Sequence, residues 1–464
     1  MEMSLFKRIA PFAVLVVVCL ASLFTPTLAN FKGGSVYNGA DITWVLVATA
    51  LVFLMTPGLA FFYGGMVNRR NVLSTMIKSF IATGVVTVIW VVIGFSLAFG
   101  KSMGGFIGSP LTYPFFSGVN SSAPWTGGAT IPLLLFALFQ LKFAVITPAL
   151  VVGAVAERIR FNAYILFIAL FSLLVYAPIA HWTWHPDGFL YKLGVLDFAG
   201  GTVVHISAGC AALAGALALK RRNSEVTHPA NIPYVVLGTG LLWFGWFGFN
   251  AGSALAANDL AVGAFAATNT AAASAGVAWM LFDVVRGKKP SALGFCIGAV
   301  VGLVAITPAA GYVGVPQSLV IGLTAALISN LAAHAKSKTG VDDTLDVFPC
   351  HGLGGIVGMI LTGVFASKVL NPSGANGLWY GDTALFLTQL KGLGIVVGYS
   401  FTVSYLIFKL INVLSPLRVT RQEELVGLDE SQHGEKYVQG TLLVDSNGTF
   451  EQKSANEPFS VSNR

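Results

Sequence analysis

Charged residues are scarce in this sequence. Asp, Glu, Lys and Arg make up 10% of its 464 residues and hydrophobic residues 55%, whereas charged residues are about a quarter of a typical soluble domain. Most of the chain must therefore lie in lipid. The formal net charge of +7 comes from short basic clusters between apolar segments. This distribution argues against nucleic-acid binding and is typical of membrane topology signals.

Cysteine is also rare, and its spacing excludes two kinds of site. Cys19, Cys210, Cys296 and Cys350 each lie in an apolar stretch, and none forms a CxxC or CxxH pair. We therefore expect no disulfide framework, metal or cofactor. The HExxH and GxSxG motifs and the usual paired intramembrane aspartates are missing as well, so we expect no enzyme.

The N-terminal segment, residues 1–29, predicts a cleaved signal peptide. Lys7 and Arg8 precede the apolar run PFAVLVVVCLASLF, and the small-residue pattern Thr27-Leu28-Ala29 follows it. The mature chain would then begin outside the membrane. The alternative is an extra first membrane helix, for which the run is short.

Eleven further apolar segments are long enough to cross a bilayer as helices. They lie near residues 41–65, 76–99, 131–155, 161–183, 197–219, 232–254, 262–285, 291–310, 316–335, 346–366 and 384–413. Basic residues cluster in alternate loops, which the positive-inside rule makes cytoplasmic. The mature N terminus is then outside and the C terminus inside. Residues 414–464 would form a cytoplasmic region whose last part is disordered.

Two spans open with a similar polar pattern. The fifth begins DFAGGTVVHIS, with Asp197 and His205, and the tenth begins DVFPCHGLGG, with Asp346 and His351. We predict an all-α integral membrane protein, residues 30–413, built as an inverted 5+5 repeat (about 41–219 and about 232–366) plus a final helix (about 384–413). Both histidines would meet near the midplane, and polar groups there are functional candidates.

Aromatic residues provide further candidates. Trp184 and Ser253 fall near the external ends of spans four and six, where a ring face and a hydroxyl could hold a small cation. The alternative for Trp184 is an interfacial belt residue. Phe143 and Phe249 lie in spans three and six, and by pattern alone they indicate only packing.

Several segments resemble one family in order and position. They are FYGGMVNRRNVLSTM, ITPALVVGAVAERIRF, DFAGGTVVHISAG, WFGWFGFNAGS, GLVAITPAAGYV and FPCHGLGG. From about Asp41 to Tyr437 the chain resembles the Amt/Mep/Rh ammonium transporters, and Trp184 favours the Amt branch. The resemblance implies a homotrimer in the cell (inner or plasma) membrane that carries ammonium or methylammonium. It also implies that a PII-type signal protein contacts residues 419–437.

The resemblance also implies roles for single residues. Ammonium would be recruited at Trp184, Ser253 and Phe143, gated by Phe143 and Phe249, and passed along the pore histidines His205 and His351. Asp197 would be a structural carboxylate. One residue departs from the family pattern: Lys142, beside the gate, is a possible modulator that could repel ammonium or could point away from the pore.

These residues predict ammonium transport in which deprotonated ammonia crosses an apolar twin-histidine pore and the proton moves separately, making transport electrogenic. Two alternatives remain open. The chain could be a sensor that binds ammonium without conducting it, or an electroneutral ammonia gas channel.

Overall fold

The computed structural model describes residues 5–25, 37–119, 130–223, 228–437, 441–444 and 450–453. Helices dominate these residues. Including their π and 3-10 turns, they are α1 Leu5–Ser22, α2 Gly39–Met66, α3 Arg69–Phe99, α4 Leu133–Val155, α5 Phe161–Leu193, α6 Gly201–Leu219, α7 Ile232–Ala254, α8 Asp259–Val285, α9 Ala292–Ile306, α10 Val315–Ser337, α11 Phe348–Phe365, α12 Thr383–Leu414 and α13 Arg421–Val426. A short turn at 185–188 interrupts α5.

Short irregular elements complete the described chain. Two antiparallel hairpins pair β1 Ser102–Met103 with β2 Ile107–Gly108 and β3 Thr441–Val444 with β4 Phe450–Lys453. The 3-10 turns are Arg69–Asn71, Pro114–Phe116, Gly252–Ala254 and Leu378–Tyr380. The π turns are Trp90–Gly94, Ser172–Tyr176, Gly201–Ile206, Phe348–Leu353 and Asp429–His433. Single π turns within helices are frequent at functional sites.

The helical membrane architecture is confirmed. Ten helices in the described residues, all except α1, α9 and α13, are long and apolar enough to span a membrane. The count of eleven is not confirmed, because the predicted eighth span forms α9, which has only 15 residues and a length of about 22 Å at 1.5 Å per residue. The predicted signal peptide includes α1, but its cleavage pattern lies outside the described residues and stays a prediction.

Helices α4 and α6 form the centre of the bundle. Most of their residues are buried, whereas α3, α10 and α12 expose much of their apolar surface. A side chain on α4 or α6 is therefore surrounded by protein on most sides. This position brings Phe143 on α4 and His205 on α6 into the interior.

The segment after α12 packs back onto the bundle. Thr420 and Glu423 form a capping box that begins α13, and Glu423 also pairs with Arg160 at 3.1 Å. Asp429 accepts the N–H groups of Leu73 and Ser74. This segment thus contacts loops that the charge pattern assigns to the cytoplasm. The disorder predicted for the last part of the chain stays a prediction, because beyond residue 437 only β3 and β4 are among the described residues.

Candidate functional site

His205 and His351 face each other inside the bundle. Their Nδ1 atoms are 3.4 Å apart, and their rings are nearly parallel with centroids 5.5 Å apart. Both side chains are almost completely buried. One Nδ1 must carry the hydrogen that the other accepts, so the two imidazoles can share a proton. The structure therefore brings together two residues that are 146 positions apart in sequence.

Asp197 fixes the turn that carries His205. Its carboxylate accepts the N–H groups of Gly200, Gly201 and Thr202 at 2.7 to 2.8 Å. These are the first donors of α6, which have no partner within the helix. Because the carboxylate is fully occupied by this segment, Asp197 orients the backbone around the site.

The corresponding aspartate before His351 is Asp343 and not Asp346, which corrects the pairing read from the sequence. Asp343 accepts the N–H groups of Val347 and Phe348 at 3.0 and 2.7 Å. Asp346 instead pairs with Lys336 at 2.6 Å. The spacing in the sequence could have identified Asp343 as the counterpart of Asp197. Asp343 precedes His351 by eight residues, and Asp197 precedes His205 by the same number. Burial raises the pKa of the Asp343 carboxyl to about 6.

A cavity of about 130 Å³, here called the aromatic cavity, lies beside Trp184 and Ser253. Its lining is Phe136, Gln140, Phe143, Trp184, Phe198, Ser253 and Leu255. The indole Nε1 of Trp184 donates to the carbonyl of Asp197 at 3.1 Å, and the Ser253 hydroxyl donates to the carbonyl of Phe249 at 2.8 Å. Ser253 therefore offers the cavity an acceptor oxygen. Gln140 was not singled out in the sequence.

Phe143 and Phe249 separate this cavity from a smaller one. Their ring centroids are 4.3 Å apart, and both side chains are buried. Beyond them lies a void of about 10 Å³, here called the histidine chamber, close to the volume one water molecule needs. Its lining is Met55, Leu59, Phe62, Ile146, Leu150, Val204, His205, Leu242, Trp246, Phe249, Val300 and His351.

Lys142 lies outside both cavities. Its Nζ atom is 5.2 Å from the centroid of the Phe53 ring on α2, and it lines neither void. Adjacent helical residues project about 100° apart, so a neighbour of Phe143 need not share its face. Lys142 therefore points away from both cavities.

The two voids suit a small uncharged or transiently charged solute. Neither is lined by Asp, Glu, Lys or Arg, and the described residues contain no group of three ligands that could hold a metal ion. A hydrated ion does not fit a chamber of this size. The fold and site thus define a helical membrane protein whose interior holds two small voids, one on each side of the Phe143 and Phe249 rings.

Comparisons with known proteins give the family. The model of the Ammonium Transporter Family matches residues 43–438, and the chain belongs to that family. It is 46% identical to an ammonium transporter of Bacillus subtilis (strain 168) over 379 residues, 81% of this chain and 93% of the relative. The crystal structure of Candida albicans Mep2 superposes with a TM-score of 0.79 at 37% identity, covering 83% of this chain and 88% of that one. A sensor Amt protein superposes at 0.78 and 31% identity, covering 85% and 98%.

Proposed function

We propose that this chain transports ammonium across a membrane. Ammonium is recruited in the aromatic cavity at Trp184, Ser253 and Phe143, is deprotonated, and passes as ammonia along His205 and His351. The observation that carries this proposal is an unbroken series of rings. The centroids of Trp184 and Phe143 are 5.8 Å apart, those of Phe143 and Phe249 4.3 Å, and those of Phe249 and His205 5.9 Å.

Energetics favour ammonia as the species that crosses. A bare ion in an apolar chamber loses hydration worth tens of kcal/mol by Born estimates. Ammonium has an aqueous pKa about two units above neutrality, so removing its proton costs only about 3 kcal/mol. The histidines can donate to and accept from ammonia, and a shared proton on them allows the released proton to follow. Transport is then electrogenic.

We also propose that the chain contains an inverted repeat and eleven membrane spans. The short helix α9 is the eighth of these spans. Contacts between helices recur in equivalent pairs: α2 with α4 and α7 with α9, and α3 with α5 and α8 with α10. The histidine segments pack reciprocally. Gly209, four residues after His205, lies against Gly352, and Gly355, four residues after His351, lies against Ile206. Side chains at either glycine would push the two segments apart.

The positive loops orient the protein with the aromatic cavity outside and the C terminus in the cytoplasm of a cell membrane. A homotrimer and a PII-type partner at residues 419–437 are proposed from the family resemblance.

The sensor function is a second candidate, supported by the similarity to a sensor Amt protein. A sensor would bind ammonium and leave internal ammonium unchanged.

Purified protein in proteoliposomes tests these functions together. An ammonium pulse should produce both uptake and an inward current on a supported membrane. Uptake without a current would support the alternative of an electroneutral ammonia gas channel. Saturable binding without uptake would support the alternative of a sensor. Protein-free liposomes under the same pulse provide the control for passive ammonia leakage.

A further inference from the structure

The turn that follows α9 lies beside the segment that carries His205. Helix α9 has only 15 residues, and Thr307 and Pro308 come directly after it. The carbonyl of Pro308 accepts the N–H group of Phe198 at 3.1 Å. The Pro308 ring also lies so close to Gly201 that a side chain at Gly201 would not fit without a shift of one of them. The end of α9 is therefore packed directly against the start of α6.

Thr307 connects this turn to Trp246 on α7. The indole Nε1 of Trp246 donates to the Thr307 hydroxyl oxygen at 2.9 Å, and that hydroxyl donates to the carbonyl of Leu303 at 2.8 Å. Both Trp246 and Thr307 are buried. An indole has a single N–H group to donate, so this bond uses the whole hydrogen-bonding capacity of Trp246. The Thr307 hydroxyl therefore fixes the direction in which the edge of the indole points.

Trp246 in turn lies against two rings of the site. Its ring centroid is 5.3 Å from that of His205, with the ring planes 17° apart, and 5.4 Å from that of Phe249. Trp246 lines the histidine chamber, whereas Thr307 lines neither cavity. A buried N–H group without an acceptor forfeits its hydration without compensation. Without the hydroxyl, the indole would turn toward another acceptor and the chamber would change shape.

We propose that Thr307 is a positioning residue of the histidine chamber: by accepting the indole N–H group of Trp246, its hydroxyl keeps that ring against His205. The inference rests on the proposed transport function. It concerns passage through the chamber and not capture in the aromatic cavity. Losing the hydroxyl should therefore lower the maximal uptake rate and leave the half-saturating concentration nearly unchanged. A displaced ring also enlarges the chamber, so K⁺ should begin to compete for passage.

Concentration-dependent methylammonium uptake into proteoliposomes, with and without K⁺, tests this role. Thr307→Val keeps the shape of the side chain but removes the hydroxyl, and we expect its maximal rate to fall about tenfold, the effect of one buried N–H group left unpaired. Thr307→Ser keeps the hydroxyl and should restore most of the rate. The matched control is Thr362→Val on α11, where a buried hydroxyl makes the same kind of bond within its helix, to the carbonyl of Gly358 at 2.8 Å. It should transport as the wild type does.

A double-mutant cycle with Trp246→Phe decides whether Thr307 acts through the indole. Trp246→Phe keeps an aromatic ring but has no N–H group, so adding Thr307→Val leaves no donor unpaired. We expect Thr307→Val to cause no further loss of rate in that background. The double variant also decides the matter if Thr307→Val alone does not fold.

Three results would overturn the proposal. The first is a wild-type maximal rate in Thr307→Val. The second is an equal loss in Thr307→Val and Thr307→Ser, which would assign the effect to packing. The third is a further loss when Thr307→Val is added to Trp246→Phe. Failure of the wild type to take up methylammonium would refute transport itself, whereas these three results in a transporting protein refute the role of Thr307 alone.

Discussion

The segments that carry His205 and His351 differ in how firmly they are held. Asp197 accepts four backbone N–H groups and the Thr202 hydroxyl before the first histidine, whereas Asp343 accepts two N–H groups before the second. The His205 ring also stacks against Trp246, with centroids 5.3 Å apart. More backbone hydrogen bonds therefore anchor the turn that carries His205 than the turn that carries His351.

Of the substitutions that we propose, removing either imidazole should change transport the most. We expect His205→Ala and His351→Ala each to lower methylammonium uptake by about a hundredfold, the lower range for loss of a proton-transfer group, or to change ion selectivity. Radiolabelled uptake and competition with K⁺ measure both. His334→Ala, on the exposed end of α10, is the control. Uptake and selectivity that match the wild type in both pore variants would refute the role of the pair.

Replacing either aspartate should have an intermediate effect, in this case on stability. The two variants test which of the two histidine segments is held more firmly. Asp197→Ala leaves more donors without an acceptor than Asp343→Ala. We expect losses in the free energy of unfolding of about 2 and about 1 kcal/mol respectively, within the range for lost helix caps. Thermal unfolding in detergent measures the order. A greater loss for Asp343→Ala would show that the second segment is the more firmly anchored one.

Of the substitutions that we propose, Lys142→Met should change transport the least. The charge lines neither cavity, so the uptake rate should change by a factor of about two or less, and losing a cation–π contact of about 0.5 to 1 kcal/mol should affect only stability. Current recordings on the variant and the wild type at equal protein density measure this. A large gain in current would mean that the lysine acts on the gate despite facing Phe53.

Some features followed from the sequence because their causes are local. Apolar runs near 20 residues predict helices in lipid from transfer free energy alone, and ten such helices are present in the described residues. The family was identified correctly from short motifs in a fixed order. His205 and His351 were singled out because a polar side chain within an apolar span is costly.

Other features were decided by tertiary packing. The sequence could not show that Gln140 lines the cavity while Lys142 faces α2, because a helix that is apolar all round has no periodicity to mark its inner face. It also could not separate Asp343 from Asp346, since the choice depends on which carboxylate reaches the free N–H groups of α11. The sequence by itself thus determined which segments form helices apolar enough to span a membrane, and only the packing of distant helices determined which side chains share a cavity.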